Sequence, residues 1–189
     1  MPPTIEVARW GVAGLYALLL IFAGVSDVRH RRIPNWTVLG VLVLFGVWIF
    51  VEPSVSLLSA FEAAGIALVA SIAFYLGGLV GAGDSKLFTA VALFAGMTYL
   101  PHLALATVLV GGIIAFGMLV LRPQRALAMF ALRGKGDFGP GIPYGVAIGL
   151  AGLFVVFGPM TGSVRPFGQP AHISVHDIDA ALAGRGHGR

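Results

Sequence analysis

Between Glu62 and Asp84 the chain reads AAGIALVASIAFYLGGLVGAG (residues 63–83), 21 consecutive residues without a charge. An α-helix needs about 20 apolar residues to cross roughly 30 Å of hydrocarbon, so this stretch alone points to a membrane. Working outward, Arg9 to Asp27 encloses 17 uncharged residues, Arg32 to Glu52 encloses 19, and Lys86 to Arg122 encloses 35. The last is too long for one ordinary span. Thr98-Tyr99-Leu100-Pro101-His102 supplies a break, because proline cannot continue a helix and restricts the residue before it. That divides the stretch into a short span near 87–99 and a full one near 102–121. A final apolar run near 142–160 begins with Pro143, at a position where a first helical turn tolerates proline. The expected fold is therefore all-α, a polytopic membrane protein with about six transmembrane helices. We expect one membrane domain over residues 1–160, then an extramembrane and partly disordered tail over 161–189.

Composition agrees. Of 189 residues, 58% are hydrophobic and 11% charged, and mean hydropathy is +0.93. A soluble domain carries about 25% charged residues, and disordered chains are poor in apolar ones; both classes are excluded. There is no cysteine, which removes disulfides, thiolate metal sites and cysteine nucleophiles. The net charge of +4 and pI near 10.0 read as basic loops of a membrane protein, with no nucleic-acid partner expected. The loops at 27–35, 81–86 and 122–141 hold eight of the 12 Lys and Arg residues, and the other side holds four. The positive-inside rule then places the first set in the cytoplasm and both termini outside. The Met1–Ile21 region lacks a basic segment ahead of its apolar core, so it does not read as a removable signal peptide.

Two outlying segments admit paired readings. Residues 122–139, with Arg122, Arg125, Met129 and Arg133 at steps of three and four, suit either an amphipathic helix on the inner leaflet or a solvated basic loop. His172 and His176, near Asp177 and Asp179, have a spacing that suits a metal on a helix, but no third ligand is fixed, and a solvated tail is the preferred reading.

Among the acids, Asp27 closes the first span and Asp84 the third. Two crossings separate them, so they return to the same side of the membrane. An aspartate where a helix meets the headgroups is often only a polar flank. Yet a negative charge at a helix C-terminus opposes the macrodipole, and two such placements on one face favour a functional pair. Two carboxylates brought together in a partly dehydrated setting can share a proton. One can then polarise a water while the other protonates a substrate carbonyl. The alternative is a small transporter or channel that uses Asp27 and Asp84 as ion or proton sites.

The local sequences narrow the choice. Gly81-Ala82-Gly83-Asp84-Ser85-Lys86 places glycines just before a carboxylate, where they permit a sharp turn or a close approach; small-residue packing between helices would use them equally. Asp27 precedes Ile33-Pro34-Asn35, which reads as the turn that starts the second helix. Arg29, Arg31 and Arg32 between them are what topology alone requires, and His30 reads as a solvated loop residue.

These residues resemble the type IV prepilin peptidases. Gly81 to Lys86 is similar to that family's GxGD-x-K motif, and Asp27 to Asn35 to its other aspartate motif, with an Asp six residues ahead of Ile-Pro-Asn. Gly141-Ile142-Pro143-Tyr144-Gly145 resembles the start of the family's last helix. The resemblance covers about residues 10–160. It implies an aspartic endopeptidase of the bacterial inner membrane that removes a short basic leader from prepilins or pseudopilins, after a glycine and ahead of their hydrophobic segment. Asp27 and Asp84 would be the catalytic pair, with Gly81, Gly83, Lys86, Ile33, Pro34 and Asn35 as supporting motif residues. Base and acid roles are not distinguished, because such a pair titrates as a unit. The partners implied are the pilin substrate and the lipid bilayer, and no metal or organic cofactor is required. Without cysteine, and without a large cytoplasmic segment, the chain resembles the short, peptidase-only type associated with Flp (tight-adherence) pili rather than the bifunctional methylating members.

Overall fold

The computed structural model describes residues 3–121 and 143–164. The proposed amphipathic segment at 122–139, the His172–His176 pair, Gly141, Ile142 and the tail from 165 onward lie outside the described residues. Within them the chain is all-helical. α1 runs Pro3–His30, α2 Asn35–Val51, α3 Leu57–Leu76, α4 Ala82–Leu121 and α5 Tyr144–Met160. Three of these, α1, α3 and α4, are long and apolar enough to cross a membrane; α2 and α5 are apolar but have 17 residues each.

The break inside α4 is not where proline predicts it. Helical geometry fails at Gly96, with φ 55° and ψ −179°, and Pro101 sits inside the following helical arm. Gly96 adopts a positive φ at little cost because it has no Cβ. Proline five residues into an arm that starts at 97 forfeits no more than the bond to the residue-97 carbonyl. The kink is pinned by Ser59, whose Oγ accepts the Met97 N–H at 2.9 Å.

The two arms, 82–95 and 97–121, double back on one another. A straight helix would separate Gly83 from Gly111 by roughly 40 Å at 1.5 Å per residue. Instead Gly83 lies against Ile33, in the α1–α2 turn, and Gly111 lies against the ring of Tyr144, the residue beside Gly145, which touches Asp27. Both arms therefore span the same two levels. One level holds the α1–α2 turn, the α3–α4 turn and the start of α5. The other holds Arg9, Glu52, Ser59 and Gly96, where Arg9 Nε and Glu52 Oε2 form a 2.7 Å ion pair and Ser54 Oγ donates to Glu52 Oε1 at 2.6 Å. Glu52 is buried and ties α1 to the α2–α3 turn.

The interior is built from small and aromatic residues. Ala13, Ala60, Ala63, Ala67, Ala90, Ala92, Ala147 and Ala151 are buried, which lets backbones approach as they do between membrane helices. Phe94 gathers Tyr16, Phe45 and Trp48 around it, at ring-centroid distances of 4.4, 5.4 and 5.9 Å. Outside, Leu18, Val69, Ile113 and Phe116 are more than 60% exposed. Apolar exposure on that scale is what a lipid-facing surface requires and what a water-facing one avoids.

Candidate active site

Two tight turns and one helix start build the site. At the end of α1, Arg31 adopts a positive φ of 54° and its N–H donates to the Asp27 carbonyl at 2.9 Å. Ser26 Oγ donates to the Arg32 carbonyl at 2.8 Å. Pro34, extended at φ −63° and ψ 137°, caps α2, and its carbonyl accepts the Thr37 N–H at 3.0 Å. The Asp27–Asn35 motif is thus one compact reversal.

The second turn follows α3. Gly78, at φ 66°, ends the helix, and the Leu79 N–H returns to the Phe74 carbonyl at 2.9 Å, a glycine-terminated C-cap. Asp84 then falls in the first turn of α4. Its Oδ2 accepts the Gly81 N–H at 3.3 Å, as an acid three residues into a helix reaches back to the capping residue. This corrects the expectation that Asp84 closes the third span against a macrodipole. It opens the next helix, where a negative charge is favourable by about 0.3–1 kcal/mol.

The two motifs then meet. A Cβ on Gly83 would lie 3.4 Å from Ile33 Cβ, so the second glycine of the motif gives Ile33 its seat. Lys86 Nζ donates to Asn35 Oδ1 at 3.4 Å, so Lys86 links the motifs rather than pairing with Asp84. Ser85 Oγ donates to the Gly81 carbonyl at 3.1 Å and to the Ser71 carbonyl at 3.3 Å, fixing the turn to α3.

Asp27 is buried, 6% exposed, and its Oδ2 accepts the Gly145 N–H of α5 at 2.8 Å. The Asp27 and Asp84 charges interact, and Arg31 acts electrostatically on Asp27. Asp84 Oδ1 is buried with no hydrogen-bond partner among the described residues. A buried carboxylate oxygen without a partner is costly, and such an oxygen is suited to exchange a proton with a water or a peptide carbonyl. Among the described residues no three His, Asp or Glu side chains gather as a metal site would require.

Of the residues singled out from sequence, Asp27, Asp84, Gly81, Gly83, Lys86, Ile33, Pro34 and Asn35 all fall at this one level, while Arg29, His30 and Arg32 point outward as exposed residues. Sequence reasoning missed Gly145, Arg31 and Ser26 as site residues. Gly145 left one signal, a residue without a side chain two positions after a helix-starting proline. Nothing local marks Arg31 apart from its neighbours.

Comparison with family models finds a match to the type IV leader peptidase family over residues 14–116. No curated protein and no solved structure matches. The matched stretch holds both aspartates, both motif turns and more than half of the chain, and the chain belongs to the type IV leader peptidase family.

Proposed function

We propose that this protein is a membrane aspartic endopeptidase whose catalytic pair is Asp27 and Asp84. The observation that carries the reading is the packing together of the two aspartate-bearing turns, 57 residues apart in sequence, through Gly83 against Ile33 and Lys86 bonded to Asn35, with one Asp84 oxygen buried and unpartnered among the described residues. One carboxylate takes a proton from water as the water's oxygen attacks the scissile carbonyl. The other, protonated, donates to that carbonyl oxygen, forming a tetrahedral intermediate. Collapse breaks the C–N bond as the proton held by the first carboxylate goes to the leaving amine and a hydroxyl of the intermediate returns a proton to the second carboxylate. The roles fall to the pair as a unit.

The substrate we infer is a prepilin or pseudopilin, cut after the glycine that ends its short basic leader. Family membership supports a leader peptidase, and the finer assignment rests on the two aspartate motifs. In this reading residues 1–160 form one domain that crosses the inner membrane six times, α4 contributing two crossings through its doubled arms. The site faces the cytoplasm, where the leader is, and both termini face out. Absence of cysteine supports the short, peptidase-only subtype associated with Flp pili.

The test is to incubate detergent-purified protein with a candidate Flp-type prepilin and sequence the product's new N-terminus. The reading expects a single cut directly after the leader glycine. An uncut prepilin, or a cut within the hydrophobic segment, would sink it.

A further inference from the structure

α5 starts without a cap of its own. Pro143 holds the capping position and offers no side-chain acceptor. Tyr144 and Gly145 are the first helical residues, and N–H groups there have no acceptor within the helix. The Gly145 N–H is satisfied from α1, by Asp27 Oδ2 at 2.8 Å, across 118 residues of sequence. The contact admits no side chain at 145. A Cβ there would lie 2.9 Å from both Cβ and Oδ2 of Asp27 and 3.1 Å from its Cγ, closer than real Cβ atoms approach. One turn on, a Cβ at Gly149 would lie 3.3 Å from the Leu20 carbonyl oxygen, so the same glycine face carries the α5 backbone down onto α1.

We propose that Gly145 is a positioning residue of the Asp27–Asp84 pair, its N–H holding one oxygen of Asp27 and its bare Cα leaving that carboxylate its place. The proposal rests on the endopeptidase reading above. Asp84 is oriented by its own helix start, through Gly81, whereas Asp27 is oriented by a helix that arrives from the far end of the chain. With Oδ2 engaged by Gly145, Oδ1 is the Asp27 oxygen left for proton exchange. Gly145 lies outside residues 14–116, the part that matches the family.

The experiment uses the full chain in detergent and a peptide carrying a basic leader, a glycine and an apolar segment. Gly145→Ala should lower kcat by about 100-fold, the loss expected when a reacting group is displaced by about 1 Å. Its KM should stay within about threefold, and its Tm should fall no further than that of Gly149→Ala. Gly149→Ala, at the same interface but away from the carboxylates, should keep kcat within about threefold. A normal kcat in Gly145→Ala overturns the proposal, as does an equal kcat loss in Gly149→Ala. Should Gly145→Ala not fold, amide hydrogen exchange on glycine-labelled wild type and Asp27→Ala reads the same bond. Exchange at Gly145 should be at least about tenfold faster once the acceptor is gone, and an unchanged rate overturns the proposal. A wild type that leaves the peptide intact removes the endopeptidase reading and the positioning role with it, while a cutting wild type with a cutting Gly145→Ala removes the positioning role alone.

Discussion

Asp27 carries two duties that one substitution can separate. Its carboxylate belongs to the candidate catalytic pair, and its Oδ2 also caps α5 through the Gly145 N–H. Asparagine keeps a side-chain oxygen that can accept this bond, whereas alanine removes it. Losing a helix cap costs about 0.5–2 kcal/mol. We therefore predict that Asp27→Ala melts at a lower temperature than Asp27→Asn in detergent, while both fail to cleave. Equal melting temperatures would mean that the bond contributes nothing to stability. At Gly83 the margin is narrower, since a Cβ would meet Ile33 at 3.4 Å. Gly83→Leu should part the two motif turns and lower cleavage by more than about tenfold, with a smaller loss for Gly83→Ala. A leucine variant as active as the alanine one would contradict that seating. That the two aspartates fall at one level of the fold was legible in the chain, because so few carboxylates interrupt its apolar runs. The role of Gly145 was not, because a contact across 118 residues leaves no local pattern, and glycine serves helix packing and close approach equally well.

Among the elements, the kink in α4 shows where local reading fails. Pro101 is the strongest breaker in the 87–121 stretch, yet the helix turns at Gly96, because Ser59 from α3 accepts the Met97 N–H that the turn exposes. A tertiary partner, invisible to local propensity, chose between two possible breaks. Gly96→Ala forces a Cβ into a positive-φ, extended-ψ conformation that only glycine adopts readily, at about 1–3 kcal/mol, and brings it 3.1 Å from Ser59 Oγ. Ser59→Ala removes this exposed hydrogen bond, at about 0.5–1.5 kcal/mol. Both should lower Tm. Combined, their losses should sum to less than the two singles, since they disrupt one turn; fully additive losses would show that Gly96 and Ser59 act independently. The same limit explains Asp84. Its charge was plain from the sequence, but its place at the start of α4 rather than the end of α3 depends on Gly78 and Gly81, two glycines among 27 in the chain.

Taken whole, the molecule has two levels joined by apolar helices, with the candidate pair at one and the Arg9–Glu52 ion pair at the other. The charge-free runs made the helices legible, and the lysine and arginine count made the sidedness an expectation. Because the chain has no cysteine, a single introduced thiol reports its own location. Pro53→Cys, at the Glu52 level, should react with an impermeant maleimide in spheroplasts, while Arg32→Cys should react only after permeabilisation. The reverse pattern would place the aspartates outside the cell and exclude a cytoplasmic leader as substrate.

The central claim is that Asp27 and Asp84 act as one catalytic unit, and rates of prepilin cleavage by Asp27→Asn, Asp84→Asn and the double variant test it most directly. Both single variants should lose at least about 10³-fold in rate, and the double variant should be no slower than either, because removing one member already disables the pair. Cleavage within about tenfold of wild type by either single variant would contradict the account.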